Sequence, residues 1–316
     1  VVLKGPAVKS KASTAKHHSS NAAMDDAPML NGVGEDSNCL YWADLTDKER
    51  SLLLNCDQVL TVKPTNFFID SLCHPEDTVI ENLNIPPEFE CSGIVGSYCN
   101  PNTYPDTKPE FKNLFCAIGC HPKHSAEYEG TQLESLIREW HPVALGECGL
   151  EYPLNISPHV CQQQIKVFQE QVALANHYNL PIIVHIHSEI DSIAVNLDAL
   201  KVLQSCLEPR HLIHYSRYSG SLEMARQWKC YFPDMYFGIS PAIVHKNVKM
   251  LRMVKDMPLD WILLETDAPY RMRKFEVNYS EIMVPMIRKI ADAKGCSVNM
   301  VADVTKNNAK EFYRIK

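Results

Sequence analysis

His74, Glu147, His185, His214 and Asp267 each stand at the polar end of a short apolar run, and each could hold a divalent metal ion. The runs are NFFID–SLCH (66–74), VALGECGLE (143–151), PIIVHIH (181–187), HLIHYS (211–216) and WILLETD (261–267). A lone histidine in such a place is more often a satisfied core residue. Asp267 alone, with Pro269 close behind it, could simply cap a helix. Two histidines in successive runs, with an acid before and an acid after, favour a metal centre instead. Glu147 lies between Gly146 and Gly149. A carboxylate buried there is costly unless something neutralises it, and the glycines let the backbone come close to a ligand. Leu72 leaves a gap, because a histidine at that position would complete a His-x-His pair with His74.

Histidine and carboxylate donors without thiolates suit Zn2+ or Mn2+ and, with more water, Mg2+, as one ion or two. Glu147 bridging two ions would support phosphodiester hydrolysis, one ion activating water and the other stabilising the leaving oxygen. A phosphate also needs donors. The candidates are His121, Lys123 and His124 in GCHPKHS, with His187, Arg217 and Arg271. Each could equally be solvated surface, and His121 is the strongest of them.

These residues are far apart in the chain, so something must gather them. With CSGIVGSY (91–98), LFCAIGCH (114–121) and MYFGIS (235–240), the apolar runs number eight and start every ~23–38 residues, the spacing of βα units. Between them, 161–178 has Ile165, Phe168, Val172 and Ala175 on one face and Gln and Glu on the other. A similar stripe over 281–295 stops at Gly295. Eight strands in about 250 residues predict a (β/α)8 TIM-like barrel over 66–316, with the strand ends gathered at one mouth. Pro86–Pro87 leaves room for only a short first helix, so the barrel is expected to be somewhat distorted. Residues 1–40 are polar and read as a disordered tail, and 41–65 as a short helical lead-in.

The chain has 316 residues, a formal net charge of −7 and 45% apolar residues. It lacks the global basic field of a nucleic-acid packaging protein, though a nuclease with a small positive mouth remains compatible. Its 12 cysteines include no C-x-x-C pair. Several lie in apolar runs, the usage of a cytoplasmic or nuclear protein whose thiols are buried hydrophobes. No signal-peptide core precedes the fold, and no apolar stretch approaches a membrane span. The sequence assigns no oligomeric state.

In order along the chain, six segments resemble the TatD family of metal-dependent deoxyribonucleases, a branch of the amidohydrolase-like barrels. FFIDSLCHP is similar to the family's I-D-x-H-x-H start, AIGCHP to its G-x-H-P turn and ALGECGLEY to its G-E-x-G-L-D strand. NLPIIVHIHS follows its L-P-V-x-x-H strand, LIHYSRYSGS its H-x-F-S-G-S stretch and LLETDAPY its E-T-D-x-P-Y/F end. The resemblance spans about 66–316, and the tail ahead of it is similar to that of longer animal members.

The resemblance implies two bound divalent metals and cleavage of DNA, often from the 3′ end, with RNA accepted by some members. DNA or RNA ends would then be the substrate. It makes His74, Glu147, His185, His214 and Asp267 ligands, Asp267 also orienting the attacking water, and brings His121 to the substrate phosphate. The departures are Leu72 for a ligand histidine, Glu151 for an aspartate, His187 where arginine is common, and Tyr215 and Arg217 in the turn after the sixth strand. A nuclease weakened by Leu72 is the leading expectation. Its rivals are a non-catalytic binding relic of the fold and an amidohydrolase of small amides or phosphate esters. The lack of a lysine at the end of the fourth strand speaks against the last.

Overall fold

The computed structural model describes residues 68–75, 91–189, 192–244, 247–270 and 279–316. The expected tail, the helical lead-in, the Pro86–Pro87 stretch and Arg271 lie outside the described residues. Eight strands, β1 (Phe68–Cys73), β2 (Cys91–Tyr98), β3 (Leu114–Ile118), β4 (Ala144–Tyr152), β5 (Ile182–Ser188), β6 (Ile213–Tyr215), β7 (Tyr236–Ile239) and β8 (Ile262–Leu264), form one sheet in chain order. Each pairs with the next in parallel. The sheet curls into a nearly closed barrel, as the run count predicts.

The described helices are α1 (Gly130–Trp140), α2 (Pro158–His177), α3 (Ser192–Cys206), α4 (Leu222–Tyr231), α5 (Val248–Asp256), α6 (Tyr279–Lys294) and α7 (Val298–Tyr313). Their starts follow local chemistry. Ser157, Ser221, Asn247 and Ser297 each accept a backbone N–H from the first turn of α2, α4, α5 and α7, a contact that supports a helix by about 1 kcal/mol. Gly295, in the left-handed region at φ 66°, follows the end of α6. The stripe expected over 161–178 is the buried face of α2, where Phe168, Val172 and Ala175 are fully covered.

Strand alternation divides the core in two. Ile94, Cys116, Ile118, Leu145, Ile182, Val184 and Phe237 face the helix layer. Ile69, Leu72, Val95, Ala117, Ala144, Ile183, Tyr236 and Leu263 fill the barrel interior, joined there by Ala309, Phe312 and Tyr313 of α7. The inner cluster draws mainly on the first residues of the strands, which leaves the later inward positions to polar groups.

The seam between β1 and β8 is tied by a side chain. The Asp70 carboxylate accepts the Thr266 N–H at 2.9 Å and the Thr266 hydroxyl at 2.6 Å, and also the Leu72 N–H at 3.2 Å. Past it, His74 N–H donates to the Ala268 carbonyl at 2.7 Å and Asp267 N–H to the Leu72 carbonyl at 3.1 Å. The two strands that carry His74 and Asp267 are therefore locked in register with each other.

Candidate metal centre

Simple alternation aims most of the site. On β5, Ile183 points inward, and so does His185 two residues on; on β8, Leu263 leads the same way to Glu265 and Asp267. Two strands break the rule. On β4, Leu145 faces the helices, so strict alternation would send Glu147 outward as well. The ladder to β5 shifts register between Leu145 and Cys148, and the extra residue turns Glu147 into the barrel. Gly146 makes the bulge possible. Its φ is 139°, and a Cβ there would stand 2.4 Å from the Ile183 carbonyl oxygen. The Gly146–Glu147 peptide bond is cis. On β1 the register shifts between Asp70 and Cys73, so that Ile69 and Leu72, three apart, both face inward. His74 follows Leu72 into the mouth, and Cys73 packs outside with the helix-facing core.

Glu147 is the hub. Its Oε2 lies 3.1 Å from His74 Nε2 and its Oε1 3.6 Å from His185 Nδ1. The Ser216 hydroxyl donates to Oε1 at 2.5 Å. The Glu147 N–H is held by Ser97 Oγ at 2.8 Å, and that hydroxyl donates to the Gly146 carbonyl at 2.9 Å. Asp267 completes the group, with Oδ1 at 3.4 Å from His74 Nε2 and Oδ2 at 3.2 Å from Arg217 Nε. All but Arg217 are almost wholly buried.

The electrostatics follow from this packing. Burial opposes ionisation of Glu147, but hydrogen bonds from His185 and His74 outweigh it and hold the carboxyl well below its usual range. Burial likewise opposes a charge on His74, yet its contacts with Asp267, Cys99 and Glu147 raise it well above the usual histidine range. A protonated His74 thus places one positive charge between two carboxylates. Burial also works against a charge on Arg217, but Asp267 holds the guanidinium firmly protonated.

Two groups of donor atoms converge on Glu147: His74 with Cys99, and His121 with His185. In each group the atoms lie within 4.8 Å of one another. The fit to a metal rests on His185. Its Nε2 is buried and has no hydrogen-bond partner among the described residues, an expense that a metal bond would remove.

His121 behaves as a donor. Burial, then the neighbouring His185, push it well below the usual histidine range, so it is neutral. Its Nδ1 accepts the Lys123 N–H at 3.2 Å, which leaves the proton on Nε2. Its ring lies 4.4 Å from that of His185, centroid to centroid. Lys123 is exposed and pairs with Glu151 at 3.3 Å. His187 is exposed at the rim, its ring 6.4 Å from that of His185. His124 is half-buried on the same turn as Lys123.

His214 is not brought into either donor group. Its Nδ1 lies 2.9 Å from the Tyr313 hydroxyl and its Nε2 3.1 Å from Glu265 Oε2. Tyr313 already gives its proton to the Ser71 carbonyl at 2.7 Å, so His214 Nδ1 must donate to it. Burial pushes the His214 pKa down to about 3, so Nε2 carries no second proton and accepts from Glu265. Burial, with Asp267 and Glu147 nearby, raises Glu265 well above the carboxylate range, as a donor there requires. Its other oxygen accepts the Arg217 N–H. The result is a neutral relay from Glu265 through His214 and Tyr313 to Ser71, floored by Phe312.

Sequence reasoning missed Cys99, Ser97, Ser216, Glu265 and Tyr313. Ser97 and Cys99 had one signal: with Val95 they occupy alternate positions on and just past β2. Ser216 had another, two places beyond His214.

The match to the sequence model of TatD related DNase covers residues 99–314. The chain is 28% identical over 250 residues to the human protein named 3'-5' RNA nuclease TATDN2, covering 75% of this chain and 32% of that one. The chain thus spans about a third of that relative. It is 29% identical over 221 residues to the uncharacterized metal-dependent hydrolase YabD of Bacillus subtilis, covering 65% and 80%. The crystal structure of YJJV, a TatD homologue from Escherichia coli K12, superposes with a TM-score of 0.62 at 20% identity, over 79% of this chain and 99% of the other. That barrel shares the fold. With more than half its length matched, the chain belongs to the TatD related DNase family.

Proposed function

We propose that this chain is a metal-dependent nuclease that hydrolyses phosphodiester bonds at the 3′ ends of DNA or RNA. The observation that carries the reading is the convergence of His74, His185 and Asp267 around a buried, ionised Glu147. The family name gives DNA, the human relative's name gives RNA and 3′-to-5′ direction, and the Bacillus relative's name gives metal dependence. His74, Glu147, His185 and Asp267 would hold the metal, one ion or two, with Mg2+, Mn2+ or Zn2+ as candidates. When bound, such an ion supplies a water nucleophile and shields phosphate charge.

The remaining steps belong to side chains. His121 Nε2–H donates to a non-bridging phosphate oxygen, and its neutrality keeps it a hydrogen-bond donor at neutral pH. Arg217 lies along Asp267 by Nε, which leaves its other guanidinium donors for the same phosphate. Asp267 orients the attacking water and accepts its proton. Lys123 and His187 meet the strand at the rim. His214 holds β6 and β8 in place through its relay.

The test is cleavage of end-labelled single-stranded DNA and RNA in Mg2+, Mn2+ and Zn2+. Shortening from the 3′ end is expected, falling at least ~10²-fold in Glu147→Ala, the scale of losing one preorganised catalytic group. If no oligonucleotide is cut under any metal while Leu72→His confers cutting, the chain is a binding relic of its fold.

A further inference from the structure

The gap at Leu72 raises the question of what stands in for the missing donor. Leu72 is fully buried in the inner apolar cluster with Val95, Ile183, Leu263 and Phe312, and it offers nothing to an ion. Cys73 points out to the helix layer. Cys99 is different. It follows β2 by one residue and continues the inward alternation of Val95 and Ser97, and it is almost wholly buried. Its Sγ lies 3.7 Å from His74 Nδ1, the ring nitrogen other than the one that faces Glu147 and Asp267. One ligand atom from each of Cys99, His74 and Glu147 lies within 4.8 Å of the others, a set that could hold one ion. Among the described residues no other thiol joins such a group.

We propose that Cys99 is a metal ligand, a thiolate supplied by β2 in place of the side chain that Leu72 cannot offer on β1. The inference rests on the metal-centre reading above and deepens it. Its chemical consequence is a change of ion. A thiolate beside imidazole and carboxylate is a softer, more strongly donating set than histidine and carboxylate alone, and it favours Zn2+ and Co2+ over Mg2+ and Mn2+. The expectation of a thiolate-free centre is thereby replaced by one with mixed donors. Binding would displace the thiol proton to solvent, with no oxidant or other co-reactant involved.

The readout is spectroscopic, so catalysis is not needed. Metal-stripped protein titrated with Co2+ should show a thiolate-to-cobalt charge-transfer absorption in the near ultraviolet beside the visible ligand-field bands. Cys99→Ser should lose the charge-transfer absorption and keep ligand-field bands, whereas Cys116→Ser, which alters a thiol on the helix-facing side, should keep both. Competition with a chelator should show Zn2+ affinity falling by at least the ~10–100-fold that loss of even an outer-shell partner costs, with Mn2+ affinity much less affected. Circular dichroism spectra matching the parent would exclude unfolding as the cause. Cobalt bound without the charge-transfer absorption, or an unchanged absorption in Cys99→Ser, overturns the inference and leaves the metal centre standing. No binding of Co2+, Zn2+ or Mn2+ overturns both.

Discussion

His74 sets the terms for any cation that enters the centre. Burial alone would strip its proton, but contact with Asp267, Cys99 and Glu147 raises it well above the ordinary histidine range. The protonated ring contributes stability that is fully present below the ordinary pKa and fades as pH rises through the raised one. A metal needs the neutral ring, so ion and proton compete. Metal loading at neutral pH should therefore release protons, seen as a dependence of the calorimetric heat on buffer ionisation enthalpy. Metal affinity should rise with pH, and His74→Gln should reduce the proton release. A pH-independent affinity would mean that neither His74 nor Cys99 gives up a proton on binding. At this scale the sequence was informative about which polar residues end the strands, since the apolar run ahead of each one is visible. It could not say which nitrogen or oxygen each would use. His214 shows why: its place after an apolar run looks like that of His185, but its partners Tyr313 and Glu265 are 99 and 51 positions away.

Among the elements, β4 matters most because its bulge decides whether Glu147 faces the barrel mouth or the helices. The bulge depends on a residue that can hold φ 139° against the Ile183 carbonyl. Gly146→Ala should cost about 1–3 kcal/mol from backbone conformation alone, with the 2.4 Å approach adding to it. The expected result is a lower urea midpoint together with weaker metal binding, since relief of the clash moves Glu147. A stable variant with metal affinity intact would show that the strand relaxes elsewhere. The strands themselves were legible from their apolar runs, and so were α2 and α6 from their stripes. The bulges were not. A one-residue slip leaves composition and mean spacing unchanged while reversing the face of every later side chain. Cys99 was hidden for a related reason: it lies past the apolar run of β2, and its neighbour Tyr98 belongs to the helix-facing core.

For the whole molecule, the seam between β1 and β8 is where stability and function meet. Asp70 accepts hydrogen bonds there from the Leu72 amide of β1 and from the amide and hydroxyl of Thr266. Asp70→Ala would strand those buried donors, and a loss of about 3–5 kcal/mol is expected, at the severe end for one substitution. Equilibrium urea unfolding would measure it. Metal binding should weaken in parallel, because His74 and Asp267 lie just beyond the seam on opposite sides. An unchanged midpoint would mean that the backbone bonds from His74 to Ala268 and from Asp267 to Leu72 suffice alone. The barrel was legible from eight runs at even spacing. The side chain that ties its seam was not, because Asp70 reads as one more polar residue in a strand until its partner 196 positions later is known.

That separation has a consequence for biosynthesis. A ribosome delivers β1 through β7 before Thr266 and Asp267 leave the exit tunnel, and a domain generally folds as a unit once its parts are out. Throughout that interval the growing chain has His74, Glu147 and His185 but neither the tie that fixes β1 nor the carboxylate at the end of β8. The donor group around Glu147 thus stays incomplete until β8 has been delivered. The late strand sets when the group can close.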